Sequence, residues 1–200
     1  MLGQLTSVPH MNIAIYLYDK AEELDWAGPW EVLSAWALGA PEDGVSAFTL
    51  ADSAEPVRCA KGLRVLADHT WETTPSIDVL LVPGGDSRGP AADDVLLERI
   101  RSLAAGGTLM TSVCTGAFVL QAAGLLEGRP ATTHWGSVDR LRELGVDVRD
   151  ERFVDAGEVI TAAGVSAGVD MALHLVARLH SVERAKEVRR YIQYDPEPPV

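Results

Sequence analysis

The sequence has only two cysteines, Cys59 and Cys114, in 200 residues. Two cysteines cannot form the framework of several disulfides that stabilises small secreted proteins. A bond between these two is also disfavoured, because disulfides are rare in the cytosol. No apolar run approaches the roughly 20 residues that a membrane-spanning helix needs. The N-terminus has no basic segment, and Asp19 and Lys20 cut short the apolar run 13–18, so no secretory signal is indicated. These absences favour a soluble cytoplasmic protein.

Positive charge is also scarce. The chain has 17 Lys and Arg residues against 29 Asp and Glu residues, a formal net charge of −12. A nucleic-acid-binding surface needs clustered Lys and Arg to displace counterions, so no nucleic-acid partner is predicted. The acidic residues are scattered along the chain, a pattern typical of a feature that promotes solubility.

The sequence does contain enough apolar material for one core. Its composition is 47% hydrophobic and 23% charged, which is ordinary for a globular protein. A chain of this length suits a single domain. Residues 1–10 have no clear pattern, and Met11 is an alternative start. We therefore expect an N-terminal extension over 1–10 and one domain over 11–200.

Short apolar runs alternate with longer helical patterns, an order typical of an α/β sheet. The run 77–82 is almost continuously apolar, as expected for a central strand that is covered on both faces. Two short runs around Lys61-Gly62 indicate an appended hairpin within 56–69. We predict a doubly wound, mostly parallel sheet with helices on both faces. The other predicted strands are 12–18, 48–51, 108–113, 146–148, 152–154 and 158–161. One predicted helix begins near 28–29, and four others cover 94–105, 135–144, 167–179 and 182–191.

Cys114 stands between a predicted strand and a following helix. Ser112 and Gly116, two places before it and two places after it, give the form of a nucleophile elbow, in which small neighbours let the turn close tightly. A sulfur at a helix N-terminus is expected to have a pKa below the free value of about 8.5, because the helix dipole favours the thiolate. The alternative is a buried structural thiol, which is common for free cysteines. Cys59 has no such context, and we interpret it as structural.

Two other predicted strands end in unusual residues. Ligands bind at the carboxyl ends of strands in open α/β sheets, so we expect these residues to lie near Cys114. Asp25 is either a helix cap or an acid that faces the sulfur and delivers a proton. Gly84 and Gly85 are either only a turn or a place where the backbone presents an N–H to a developing anion. In the second case the N–H groups of Gly85 and Thr115 form the two halves of an oxyanion hole.

The histidines carry little signal. His134 lies at a predicted helix start, where capping or packing is the expected role. The other histidines have no convergent context. No spacing indicates a metal site, a phosphate loop or a dinucleotide fingerprint, so we expect neither a metal nor a cofactor.

Several longer motifs point to a known family. They are L-D-x-x-G-P-x-E-V-L (24–33), L-V-P-G-G (81–85), C-T-G (114–116), A-T-T-H-W (131–135), G-V-S-A-G-V-D (164–170) and Y-D-P-E-P-P (194–199). With these motifs the chain resembles the ThiJ/PfpI superfamily over about residues 11–200. The resemblance implies a flavodoxin-like fold that is shared with class I glutamine amidotransferase domains. Within the superfamily the sequence is most similar to the isonitrile hydratases.

Departures from other branches narrow the implied activity. The protease-like branch has a histidine directly after the cysteine, where this chain has Thr115. A glutamine amidotransferase has a late His-x-Glu pair, which this sequence lacks. Ligand-sensing domains of AraC-type regulators are similar but continue into a helix-turn-helix region. We therefore expect neither proteolysis nor glutamine hydrolysis, nor a transcriptional regulator.

The resemblance implies a mechanism. The Cys114 thiolate would attack the terminal carbon of an isonitrile, and protonation of that carbon would give a thioimidate on the enzyme. Water would then add, and an N-substituted formamide would leave. Asp25 would donate the proton, which requires a partly protonated carboxyl, as burial favours. Thr115 would contribute its N–H and hydroxyl, and Gly85 its N–H.

The resemblance also implies a pocket and an assembly. Trp26, Trp30 and Trp135, together with His134, would wall an apolar pocket, although packing in the core is the alternative for each tryptophan. Superfamily members are commonly homodimers, so we expect one here. Two other functions stay open: a thiol enzyme acting on reactive aldehydes, such as a glyoxalase or deglycase, and a non-enzymatic sensor whose Cys114 oxidises reversibly.

Overall fold

The computed structural model describes residues 10–197. The strands are β1 (Met11–Tyr16), β2 (Val45–Ala51), β3 (Val57–Arg58), β4 (Arg64–Val65), β5 (His69–Thr70), β6 (Val79–Val82), β7 (Leu109–Val113), β8 (Pro130–Ala131), β9 (Asp147–Val148), β10 (Phe153–Asp155) and β11 (Val159–Ala162). The helices are α1 (Glu23–Gly39), α2 (Asp94–Ala105), α3 (Gly116–Ala122), α4 (Val138–Glu143), α5 (Ala167–Leu179) and α6 (Val182–Tyr191).

The main sheet has seven strands in the order β10-β11-β7-β6-β1-β2-β5. All neighbouring pairs are parallel except β10 with β11. Every residue of β6 is buried, as its unbroken apolar run predicts. Helices α1, α5 and α6 pack together, and α2 packs on α3. The predicted mostly parallel α/β fold is confirmed. Because β1, β6 and β7 are adjacent and parallel, their carboxyl ends meet at one edge of the sheet.

The predicted hairpin is confirmed as an antiparallel pair, β3 with β4, which stands apart from the main sheet. It is attached to the connection between β1 and α1: the Lys20 N–H donates to the Arg58 carbonyl (2.7 Å), and the Ala60 N–H donates to the Ala21 carbonyl (2.9 Å). A second small pair, β8 with β9, is parallel. No sequence pattern predicts β8, a two-residue strand that begins with a proline.

Helix α1 begins at Glu23, about five residues before the predicted start, so Pro29 lies inside the helix and not in its first turn. Pro29 has no N–H for a helical hydrogen bond, and the proline signal alone therefore suggested a later start. Tertiary contacts decide the start instead. The Glu22 N–H donates to the Gly84 carbonyl (2.9 Å), and Ala21 forms a bridge with Gly85.

Other predicted bounds agree closely with the structure. Helices α2, α5 and α6 have the predicted limits, and most strands differ by one to three residues at an end. The predicted helix 135–144 is instead a 3₁₀ turn over Trp135–Ser137 followed by α4. Residues 1–9 of the expected extension and 198–200 of the tail lie outside the described residues. No helix between residues 10 and 197 is long and apolar enough to cross a membrane.

Candidate active site

Cys114 occupies the sharp turn between β7 and α3, with a φ of 58°. This left-handed conformation is uncommon outside glycine and is kept only where surrounding contacts enforce it. Here the Cys114 N–H donates to the carbonyls of Ala162 (3.0 Å) and Ala163 (2.8 Å). The Thr133 hydroxyl donates to the Cys114 carbonyl (2.8 Å). A Cβ at Gly116 would lie 2.2 Å from the Val82 carbonyl oxygen, which explains the glycine two places after the cysteine.

Asp25 lies in the first turn of α1 and is fully buried. It is not the helix cap, since Glu22 holds that position. Its Oδ2 accepts the Gly84 N–H (2.8 Å), and its carboxyl interacts with the Cys114 thiol. A Cβ at Gly84 would lie 2.7 Å from Asp25 Oδ2 and 2.7 Å from Cys114 Cβ. Because Gly84 has no side chain, the Asp25 carboxyl and the Cys114 thiol have room to lie next to each other.

The pKa values of the acid and the thiol are both raised. Burial raises the pKa of Asp25 to about 7, against the hydrogen bonds from Gly84 and Cys114 that lower it. Burial and the charge of Asp25 raise the pKa of Cys114 to about 12. The expectation of a thiol pKa below the free value is therefore wrong, because burial outweighs the amides of Thr115 and Val165 that lower it. Acid and thiol are close enough to titrate as a pair.

The Gly85 N–H does not face the sulfur. It donates to the Thr115 hydroxyl oxygen (3.0 Å), and that hydroxyl donates to the Gly85 carbonyl (2.9 Å). Our expectation that this amide completes an oxyanion hole is wrong, because the amide is already engaged, as is that of Gly84. The backbone amides that act on Cys114 are those of Thr115 and Val165.

Val165 lies in the motif G-V-S-A-G-V-D (164–170), which by itself predicts no role for this residue. It lies in the loop between β11 and α5 with a φ of 44°, which is a true outlier for a β-branched residue. Its position next to the sulfur follows from the parallel pairing of β11 with β7. No local sequence signal indicates such a conformation at a valine, so only the folded chain reveals this contact.

Tyr18 was also missed. It follows β1, is buried, and its hydroxyl lies within hydrogen-bonding distance of the carbonyl oxygens of Pro83 (2.9 Å) and Gly84 (2.8 Å). Its position in the sequence predicts only the end of an apolar strand, 12–18. Burial, and next the charges of Asp25 and Cys114, raise its pKa, so the hydroxyl stays protonated as a donor.

The four expected pocket residues are not brought together. His134 caps the 3₁₀ turn by accepting the Gly136 N–H (3.2 Å), and its ring lies 5.3 Å from that of Trp135. Both line a cavity of about 560 Å³ that Val165 also lines. Trp26 is buried with its indole N–H near Cys59, and half-buried Trp30 packs against the core.

The described residues place no disulfide, no metal-binding cluster and no imidazole effect at Cys114. Both cysteines are free thiols, so the expectation of no disulfide is confirmed. Among residues 10–197 no three His, Cys, Asp or Glu side chains are grouped as a metal ion would require. Burial, Asp25 and two backbone amides account for the pKa of Cys114, and no imidazole of the described chain contributes.

Known proteins resemble this chain in sequence and structure. The sequence profile of the DJ-1/PfpI family matches residues 11–178. The isonitrile hydratase of Pseudomonas putida is 39% identical over 190 residues, 94% of this chain and 81% of that protein. The glutathione-independent glyoxalase DJR-1.2 of Caenorhabditis elegans is 29% identical over 148 residues, 72% of this chain and 79% of that protein. A crystal structure of a ThiJ/PfpI family protein from Pseudomonas syringae has a TM-score of 0.84 and 34% identity, covering 100% of this chain and 83% of that one. The chain belongs to the DJ-1/PfpI family.

Proposed function

We propose that this protein hydrates an isonitrile, R–NC, to the N-substituted formamide R–NH–CHO. The observation that carries the proposal is the buried pair of Asp25 and Cys114. Such a pair can supply a nucleophile and a proton to the same carbon without a histidine base. The 39% identity to an isonitrile hydratase over 94% of the chain supports the same assignment.

The first step uses the form of the pair that holds one proton. The sulfur of Cys114 attacks the terminal carbon of the isonitrile and forms a C–S bond, while Asp25 delivers the proton to that carbon. The product is the thioimidate Cys–S–CH=N–R, and Asp25 is left as a carboxylate. The Asp25 pKa of about 7 suits this role, because a general acid works best with a pKa near the operating pH.

The second step releases the product. Asp25, now a carboxylate, takes a proton from water as the water oxygen bonds to the thioimidate carbon, and Asp25 then passes this proton to the nitrogen. The intermediate Cys–S–CH(OH)–NH–R then collapses: the C–S bond breaks, the carbonyl forms, and the hydroxyl proton returns to the pair. One water is consumed for each formamide, and the pair regains its single proton.

The two other functions left open receive less support. A redox sensor needs a thiol that is exposed to solvent, whereas Cys114 is buried. The glyoxalase alternative has a named relative, but at 29% identity over 72% of the chain.

The proposal is tested by giving the purified protein cyclohexyl isocyanide and, separately, methylglyoxal. We expect N-cyclohexylformamide and no lactate above the protein-free blank, measured by liquid chromatography with mass detection. Lactate without formamide would replace the hydratase with the aldehyde enzyme.

The proposal also covers the oligomeric state, the location and the partners of the protein. We propose a cytoplasmic homodimer that acts on a small molecule, without a nucleic-acid or membrane partner. Light scattering should then give a mass of twice 21.4 kDa. A mass equal to one chain would contradict the dimer and leave the chemistry untouched.

A further inference from the structure

We propose that Tyr18 is a positioning residue, whose hydroxyl fixes the peptide between Pro83 and Gly84 so that this peptide's N–H meets Asp25. The inference deepens the proposed function, since it concerns the same acid and thiol. It stands on hydrogen bonds on opposite sides of one peptide unit.

The Pro83 carbonyl and the Gly84 N–H belong to the same planar peptide. Tyr18 holds the carbonyl oxygen (2.9 Å), and Asp25 Oδ2 holds the N–H (2.8 Å). Rotation of this peptide would break both hydrogen bonds at once. Donation to the carbonyl also polarises the peptide and strengthens the N–H as a donor. The chain of contacts therefore runs from the phenol through the peptide to the carboxylate.

Neighbouring contacts leave this peptide dependent on Tyr18. The next carbonyl, that of Gly84, lies 2.8 Å from the same Tyr18 hydroxyl, which has a single hydrogen to donate, and it also accepts the Glu22 N–H (2.9 Å). The Gly84 carbonyl therefore keeps a partner when the phenol is removed. Among the described residues, Tyr18 is the donor found for the Pro83 carbonyl. Loss of the hydroxyl leaves that buried oxygen unsatisfied, and the peptide is then free to turn toward another donor.

The charged surroundings permit a clean measurement. Asp25, Cys114 and Asp86 are the groups whose charges act on Tyr18. Arg88 and Lys20 hold the pKa of Asp86 below its ordinary value, so Asp86 keeps its charge near neutral pH. Lys61 pairs with the two glutamates at the start of α1. Among the groups whose charges act on Tyr18, the acid–thiol pair is therefore the one that changes its charge near neutral pH.

The test measures alkylation of Cys114 by iodoacetamide against pH, in a Cys59→Ala background where Cys114 is the single thiol. The rate should rise as the doubly protonated pair loses a proton near pH 7 and then level off. In Tyr18→Phe the weaker Gly84 hydrogen bond raises the pKa of Asp25, so the midpoint should move up by about one pH unit. The pKa of Asp25 rises because a weaker hydrogen bond to its carboxylate favours the protonated form.

Tyr16→Phe is the matched control. Tyr16 is the buried last residue of β1, two residues before Tyr18. Its hydroxyl donates to Asp52 (2.8 Å) and not to the Pro83–Gly84 peptide, so the change removes a hydrogen bond of comparable length elsewhere. Its midpoint should stay within about 0.2 pH units of the parent, a margin well below the shift of about one unit expected for Tyr18. Equal midpoints in both variants and the parent would overturn the proposal, and so would equal shifts in the two variants.

A second variant tests the proposal in case Tyr18→Phe does not fold. Placing 3-fluorotyrosine at position 18 keeps the ring and the hydroxyl but makes the hydroxyl a stronger donor, so the midpoint should move down. No downward movement in this variant would overturn the proposal even if Tyr18→Phe does not fold. Alkylation needs no substrate, so a shift seen in a protein that does not turn over cyclohexyl isocyanide would reject the hydratase and keep Tyr18 as the positioning residue.

Discussion

Cys59 and Cys114 are both buried free thiols, and burial raises the pKa of each. They differ in what surrounds the sulfur. Cys59 lies at the end of the first hairpin strand, where its N–H donates to the Leu63 carbonyl (2.8 Å) and its sulfur faces the Trp26 indole. Cys114 lies in a left-handed turn beside a buried carboxyl and two backbone amides.

Burial is not what separates a structural thiol from a reactive one. Burial suppresses both thiolates. The difference is a partner that can exchange a proton with the sulfur inside the same dry site. Changes at the two cysteines and at the partner of Cys114 therefore test the comparison directly.

The largest effect is expected for Cys114→Ser. Removal of a nucleophile that forms the covalent intermediate should lower kcat/KM for cyclohexyl isocyanide by at least about 10⁴-fold. Formamide release, followed by chromatography against a protein-free blank, measures the loss. Cys59→Ser is the matched control. Formamide production that survives in Cys114→Ser would reject the covalent mechanism.

Asp25→Asn should lower kcat by about 10³-fold, because the variant cannot protonate the isonitrile carbon. The same change removes the charge that raises the pKa of Cys114, so alkylation by iodoacetamide at pH 9 should become faster. Slower hydration together with faster alkylation is the result expected if Asp25 acts as the acid. If hydration and alkylation both fall, Asp25 acts only by supporting the fold.

Gly84→Ala should lower kcat/KM by about 10²-fold, since small misplacements of reacting groups have effects of this size. The new Cβ would lie 2.6 Å from the Thr115 nitrogen and 2.7 Å from both Asp25 Oδ2 and Cys114 Cβ, so acid and thiol must separate. Gly39→Ala, on the same helix as Asp25 and with nothing within 4 Å of the new Cβ, is the control. Equal activities of the two variants would show that the spacing at Gly84 is unimportant.

Cys59→Ala should have the smallest effect on catalysis, within about twofold of the parent. It should instead lower the free energy of unfolding by about 1–2 kcal/mol, because a buried side chain is lost. Urea unfolding followed by fluorescence measures the second quantity. Strong loss of formamide production with unchanged stability would erase the distinction between the two thiols.

Local signals in the sequence predicted much of the fold. The structure shows one such local signal at the start of α2, where the Asp93 carboxylate accepts the N–H groups of Val95 and Leu96. The start of α6 likewise follows from Ser181, which accepts the Arg184 N–H. Such caps act within three residues, so they can be identified without the rest of the chain. The start of α1 could not, because its contacts come from the loop after β6.

The α/β class and the hairpin follow from local patterns of the sequence, and so does the expectation that Asp25, Gly84 and Cys114 lie close together. The packing of distant segments sets which backbone amides act on the sulfur, which way burial moves the pKa of the thiol, and that Tyr18 holds the peptide facing Asp25. The physical reason is common to all three. Desolvation and hydrogen bonding at the site depend on groups that are distant in sequence and meet only when the strands are packed.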